Sequence, residues 1–338
     1  MKILILKPSS LGDVVQALPV LRLLKLAHPH SEIFWWIDSR LAPLLEGDPD
    51  LSGIIPFERR RWVSPRHWPE MLRSIRRLRA LNFDWVIDLQ SLARSGAFAW
   101  LANGKFLVGL DEPREGARGF YDLMTPRASF HTHAVEWYLS VLPRLGVPVH
   151  KNFVWLPERP AVAATIREKW ATDKHRWIAI QPGGRWLNKR WPVDNYAELV
   201  AQLAKKFPDH HFAILGGADE RALGESIALA AESRCVNLCG ELLLPEMVEW
   251  LRVCDLMVTN DTGPMHVAAA LGKPVVGIFG PTEPRRTGPY GQVERALRRP
   301  LLCSPCFKPR CANKNQLECL REISPAMVFA EVQSRLGD

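Results

Sequence analysis

The chain has 338 residues, 47% hydrophobic and 24% charged, with a formal net charge of +8. That is long enough for two cores of ordinary size and too apolar for a disordered polypeptide. No apolar run approaches the roughly 20 residues that a spanning helix requires, which excludes a transmembrane anchor of that kind. The opening residues enter a strand-like run without the charged, apolar and small-residue regions of a secretory signal, and so predict a cytoplasmic protein.

In chain order, residues 3–6, 32–37, 85–89 and 106–108 read as strands separated by longer segments of helical period. Residues 177–180, 211–215, 256–259 and 274–279 repeat the arrangement. Alternation of this kind predicts an α/β fold with two parallel sheets wrapped by helices. Residues 148–160, proline-flanked and without a helical apolar stripe, read as the linker, which places the domains at 1–155 and 156–338. Ligands of open α/β sheets bind beyond the carboxyl ends of the strands, so the loops there are the ones to read for chemistry.

The first such loop is Lys7-Pro8-Ser9-Ser10-Leu11-Gly12-Asp13, ahead of an apolar helix expected to start near Val14. Gly12 permits close backbone approach to a ligand, and a helix N-terminus favours anions. Capping of the helix by Ser9, Ser10 or Asp13 is the competing use. Neither a Walker loop nor GxGxxG is present.

Between this loop and the second comes a strongly basic stretch. Residues 58–79 hold eight arginines, including Arg59, Arg60 and Arg61, against Glu58 and Glu70, an excess of six positive charges. These arginines, with Arg94 and Arg118, are expected to face an anionic acceptor, a solvated helix face being the plainer use. They are not interleaved with aromatics in an RNP-like pattern, and helix-turn-helix and zinc-finger spacings are absent, so no nucleic-acid partner is expected.

The second loop, Gln181-Pro182-Gly183-Gly184-Arg185, leads into Asn188-Lys189-Arg190-Trp191-Pro192. A glycine pair after a strand frees backbone N–H groups for an anion, and Lys189 or Arg190 supplies charge for a diphosphate. The run Leu215 to Glu220 also ends a strand, and its carboxylates, Glu220 among them, suit a ribose or nucleobase edge.

The third loop is Asn260-Asp261-Thr262-Gly263-Pro264-Met265-His266, which opens an alanine-rich helix. Pro264 suits the first helical turn, and the N–H groups of Thr262 and Gly263 would meet a phosphate at the positive helix end, with His266 close by. Gly280-Pro281-Thr282 repeats the device after the next strand.

Four of seven cysteines crowd into Cys303, Cys306, Cys311 and Cys319. The spacing CxxC-x4-C-x7-C suits a metal or plain structure better than disulfides in a cytosolic chain. It matches no standard finger, and a structural role is expected.

Read together, SSLGD at 9–13 and NDTGPMHVAAALGKPVVGIFGPT at 260–282 resemble the bacterial lipopolysaccharide heptosyltransferases of glycosyltransferase family nine, and the likeness runs from residue 1 to about 320. The resemblance implies a GT-B architecture of two Rossmann-like domains facing across a cleft, acceptor on the first and nucleotide sugar on the second. It implies an inverting transfer of heptose from ADP-heptose to an anionic, lipid-linked saccharide of the lipopolysaccharide core, at the inner face of the inner membrane. Asp13 matches the catalytic carboxylate and Lys189 the phosphate-binding lysine. Asp261, Thr262, Gly263 and His266 match the donor loop, with Glu220 beside it, while Ser10 and Arg94 fall on the acceptor side. No cofactor and no metal are implied. Residues 181–188 depart from the pattern, with a glycine pair where the first heptosyltransferases tend to carry hydroxyls. That leaves open another nucleotide sugar or acceptor, or a sugar-nucleotide epimerase of similar build.

Overall fold

The computed structural model describes residues 1–112 and 114–337. The chain divides into two compact units, Met1–Pro157 and the remainder from Glu158.

In the first unit the strands are β1 (Lys2–Leu6), β2 (Glu32–Asp38), β3 (Gly53–Phe57), β4 (Trp85–Asp88), β5 (Phe106–Leu110) and β6 (Leu123–Thr125). All pair in parallel, in the order β3-β2-β1-β4-β5-β6. The helices are α1 (Leu11–Ala27), α2 (Trp68–Ala80), α3 (Ala93–Leu101) and α4 (Ala134–Leu139). Residues 3–6 of β1 are buried on both faces, as a central parallel strand covered by helices must be. α1 is apolar nearly all round, with Val14, Val15, Leu18, Leu21 and Leu24 fully buried, so it lies inside the unit rather than on it. Arg22 of this helix is buried as well, and its guanidinium meets Asp48 at 2.5 and 2.6 Å, Asp50 at 2.7 Å and the Trp155 carbonyl at 3.0 Å. These bonds tie the end of the unit to its central helix.

The second unit repeats the plan with β7 (Arg176–Gln181), β8 (His210–Ile214), β9 (Cys235–Asn237), β10 (Leu256–Asn260), β11 (Val275–Phe279) and β12 (Leu297–Arg298), in the order β12-β11-β10-β7-β8-β9. Its helices are α5 (Pro160–Trp170), α6 (Val193–Lys206), α7 (Arg221–Ala228), α8 (Leu244–Val253), α9 (Gly263–Ala270), α10 (Pro284–Thr287), α11 (Glu318–Arg321) and α12 (Pro325–Leu336). In both sheets the chain leaves from a central strand, winds to one side, then returns and winds to the other. The reversals fall between β1 and β4 and between β7 and β10, where ligands of such sheets bind.

The inner strands follow the apolar runs of the sequence. Those the runs do not reveal, β3, β6, β9 and β12, are the four sheet edges. β3 carries Gly53 and Pro56, and β12 has two residues, both within what an edge strand tolerates. α1 begins at Leu11, three residues before the expected Val14, because Ser10 in extended geometry serves as its N-cap. Among the described residues no helix is long and apolar enough to cross a membrane.

Candidate active site

In the second unit, the loops following four adjacent strands, β11, β10, β7 and β8, carry the glycines, cations and carboxylates singled out above. Lys189 Nζ donates to Asp261 Oδ2 at 2.6 Å, and Thr282 Oγ1 donates to the same oxygen at 2.7 Å. This bond joins residues 72 positions apart and sets the lysine at the end of β10, with its ammonium 5.0 Å from the centre of the Trp186 ring. Thr262 occupies the cap position of α9 with φ −139° and ψ 169° and makes no side-chain cap bond; its hydroxyl lies 3.2 Å from that of Thr259. The first N–H groups of a helix lack intrahelical partners, so the start of α9 retains donors and partial positive charge for an anion. His266, the fourth residue of α9, is buried.

Asn260, fully buried, holds the two central loops together. Its Oδ1 accepts from Trp191 N and from the Tyr196 hydroxyl, each at 3.0 Å, while Nδ2 donates to the Pro182 and Gly183 carbonyls at 2.7 and 3.1 Å. Glu220 performs a similar task between the loops after β7 and β8. Gly184 N (2.8 Å) and Arg190 (3.0 Å) bond Oε1, and Gly217 N (3.1 Å) bonds Oε2. A Cβ on Gly183 would lie 2.1 Å from Glu220 carboxyl atoms, so a larger residue there requires the Glu220 side chain to move. Glu220 therefore shapes the glycine loop directly, a role additional to the ribose contact expected of it.

In the first unit, Asp13 is the third residue of α1 rather than a residue ahead of it. Its Oδ2 accepts from Ser10 N at 3.0 Å and Ser10 Oγ at 2.6 Å, and its Oδ1 accepts from the Tyr138 hydroxyl at 3.2 Å. Both oxygens are thus oriented. The ring of Tyr138 lies 4.6 Å under the ammonium of Lys7, which is buried and donates to the Leu89 carbonyl at 2.9 Å. Lys7 so links the loops after β1 and β4.

The β4 loop is itself pinned by Asp88, fully buried, whose Oδ1 accepts from Gln90 N and Ser91 N and whose Oδ2 accepts from the Tyr121 hydroxyl at 2.7 Å. Burial pushes the Asp88 carboxyl above its ordinary value and raises the Tyr121 hydroxyl, which the Asp88 charge raises further. The turn leads into α3, whose second residue is the exposed Arg94. Arg59, Arg60 and Arg61 are exposed just after β3, Arg61 pairing with Glu70 at 2.9 Å; Arg118 pairs with Asp111 at 2.5 Å. The structure joins Ser10 to Asp13 and Lys189 to Asp261, whereas among the described residues no hydrogen bond links Arg59, Arg60, Arg61, Arg94 and Arg118 to one another. Tyr138 escaped notice as an Asp13 partner because 125 positions separate the two.

The seven cysteines are all free thiols. Cys303, Cys306, Cys311 and Cys319 line one cavity of about 720 Å³ with Asn188 and Pro281. Among the described residues no three metal-binding side chains converge on a point. Burial, with the neighbouring thiols adding to it, pushes Cys319 up to about 11.

Two doubly wound sheets with glycine loops at their reversal points have the GT-B architecture of nucleotide-sugar glycosyltransferases. The family model for glycosyltransferase family 9 (heptosyltransferase) matches residues 71–317. Lipopolysaccharide heptosyltransferase 1 of Pseudomonas aeruginosa is 30% identical over 99% of this chain and 98% of its own. Lipopolysaccharide heptosyltransferase 2 of Salmonella typhimurium is 28% identical over 100% and 99%. Among solved structures, the E. coli heptosyltransferase WaaC with ADP superposes with a TM-score of 0.80 at 26% identity, covering 99% of this chain and 100% of that one. The E. coli ADP-heptose LPS heptosyltransferase II gives 0.79 at 25%, covering 99% and 98%. The chain belongs to glycosyltransferase family 9, the heptosyltransferases, and is a glycosyltransferase.

Proposed function

We propose that this enzyme transfers a heptose from ADP-heptose to an anionic sugar of the lipopolysaccharide core, with inversion, at the cytoplasmic face of the inner membrane. The observation that carries the catalytic reading is the carboxylate of Asp13, held by Ser10 on one oxygen and by Tyr138 on the other. In the reaction an acceptor hydroxyl oxygen attacks the anomeric carbon, the bond from that carbon to the diphosphate breaks, and Asp13 takes the hydroxyl proton as general base. ADP departs with the bonding pair. Its developing charge is met by Lys189 and by the N–H groups of Thr262 and Gly263 at the start of α9, fixed donors of the kind that contribute most to such steps. His266 and Glu220 complete the donor side, and Asp261 holds Lys189 in place until the diphosphate arrives. Arg59, Arg60, Arg61, Arg94 and Arg118 of the first unit bind the anionic acceptor.

ADP as the nucleotide is supported by the E. coli WaaC structures, solved with ADP and with ADP-2-deoxy-2-fluoro heptose. The core acceptor is supported by the names of the relatives. The test is incubation of the purified chain with ADP-heptose and a heptose-free core acceptor, read by mass spectrometry. A heptosylated acceptor is expected. Isomerised sugar nucleotide formed without any acceptor would favour an epimerase instead.

A further inference from the structure

Most of the charge on α2 is unused inside the first unit. Among the described residues none of Arg66, Arg76, Arg77 and Arg79 meets a carboxylate, and only Ile75 and Leu78 of the helix are buried. Its outer surface is nevertheless not uniformly polar. Trp68 is 50% and Leu72 51% exposed, and Val63, just ahead of the helix, is 75% exposed. Trp68, Leu72, Arg76 and Arg79 follow one another at intervals of four, four and three residues, so they share one strip of the helix, and all four are exposed.

A strip that begins with an indole and a leucine and ends in arginines matches the boundary of a bilayer. The amphipathic ring sits at headgroup depth, and arginine stems run along apolar surface while their guanidinium groups reach phosphate. The excess of six positive charges over residues 58–79 complements an anionic lipid surface. An acidic protein patch would use the charge but leave Trp68, Leu72 and Val63 in water.

We propose that α2, with Val63, is the face by which the enzyme docks onto an anionic phospholipid bilayer, Trp68 and Leu72 entering the interfacial layer and the arginines of the helix binding lipid phosphates. The proposal deepens the reading of a lipid-linked acceptor, and it is measured independently of transfer.

The full chain is floated with vesicles of phosphatidylcholine alone or mixed with phosphatidylglycerol. Retention by the mixed vesicles, weakening as salt rises, is expected, with little retention by phosphatidylcholine. The triple change Arg76→Gln, Arg77→Gln, Arg79→Gln lowers partitioning at least about tenfold. Trp68→Ser with Leu72→Ser removes the part that survives high salt. Both variants keep the parent melting temperature, because these side chains lie on the surface, and Trp68→Ser with Leu72→Ser also keeps the parent turnover on an acceptor stripped of acyl chains. Phosphatidylglycerol brominated on its acyl chains quenches emission of the parent that is missing from Trp68→Phe. Equal partitioning of parent and variants, equal quenching of parent and Trp68→Phe, or tighter binding to single-stranded RNA than to mixed vesicles at matched phosphate would each overturn the assignment. Failure of heptose transfer would leave the vesicle result standing, so the two readings fail separately.

Discussion

The phenolic hydroxyl of Tyr138 donates to Asp13 across 125 positions of sequence, and Ser10 engages the other carboxylate oxygen. Asparagine at position 13 still offers an oxygen to Ser10, so Asp13→Asn should fold and bind nucleotide normally. It should lose turnover by at least about a hundredfold, since an amide cannot take the acceptor's proton. Tyr138→Phe removes one of the donors that orient the carboxylate, so turnover should fall about threefold to tenfold. Near-normal turnover in Asp13→Asn would leave the residue as a helix cap alone.

Lys189 and Asp261 form an ion pair of 2.6 Å with little exposure of either side chain. Lys189→Ala removes the cation proposed for the diphosphate and leaves the Asp261 carboxylate with only Thr282 of these two donors. Calorimetric titration should give an ADP dissociation constant raised about tenfold or more, consistent with loss of a charge-assisted bond. Unaltered ADP affinity would move the diphosphate elsewhere.

Arg59, Arg60 and Arg61 belong to the first unit, and the residues proposed to bind the donor belong to the second. Their joint replacement by alanine should raise the acceptor Michaelis constant, by about tenfold, and leave ADP affinity unchanged. A change confined to donor affinity would contradict their assignment to the acceptor.

Asn260 satisfies four partners with one buried amide. Asn260→Leu leaves the Trp191 N–H and the Pro182 and Gly183 carbonyls without their amide partner, while the Tyr196 hydroxyl keeps only the longer bond to the Gln181 carbonyl. Each such group costs about 1–3 kcal/mol, so chemical denaturation should report a loss of at least about 3 kcal/mol. A smaller change would mean that water replaces the amide.

The thiols differ in reactivity for physical reasons. Burial pushes Cys235, Cys239 and Cys254 up to about 12, so each is almost wholly protonated near neutrality, whereas Cys303 is exposed. Iodoacetamide should label Cys303 first and leave those three intact until unfolding, as peptide mapping would read. Stoichiometric zinc in the purified protein would replace the structural role of the 303–319 cluster with a metal site.

Most of the fold was legible because the inner strands of a doubly wound sheet are buried on both faces and must be apolar. Edge strands escape that requirement, which is why β3, β6, β9 and β12 carried no readable signal. The loops after β7 and β10 were legible from their glycines and from Pro264, local features with local causes. The start of α1 was misplaced by three residues, because Ser9, Ser10 and Asp13 were all possible caps and the bond from Ser10 to Asp13 that selects Ser10 forms only in the folded turn. What stayed hidden were the long-range partners: Tyr138 on Asp13, Thr282 on Asp261, and the amide of Asn260 binding groups 64 to 78 residues away. Nothing in local spacing encodes them, since they exist only once the strands have been brought side by side.

The clash that would arise between a side chain at position 183 and the carboxylate of Glu220 couples changes at these two positions of the glycine loop. Serine at 183 in the present background displaces Glu220 and with it the bonds to Gly184, Gly217 and Arg190. A shorter residue at position 220 therefore eases a later change at 183. Libraries that vary the two positions together should yield folded combinations that single-site scanning at 183 misses.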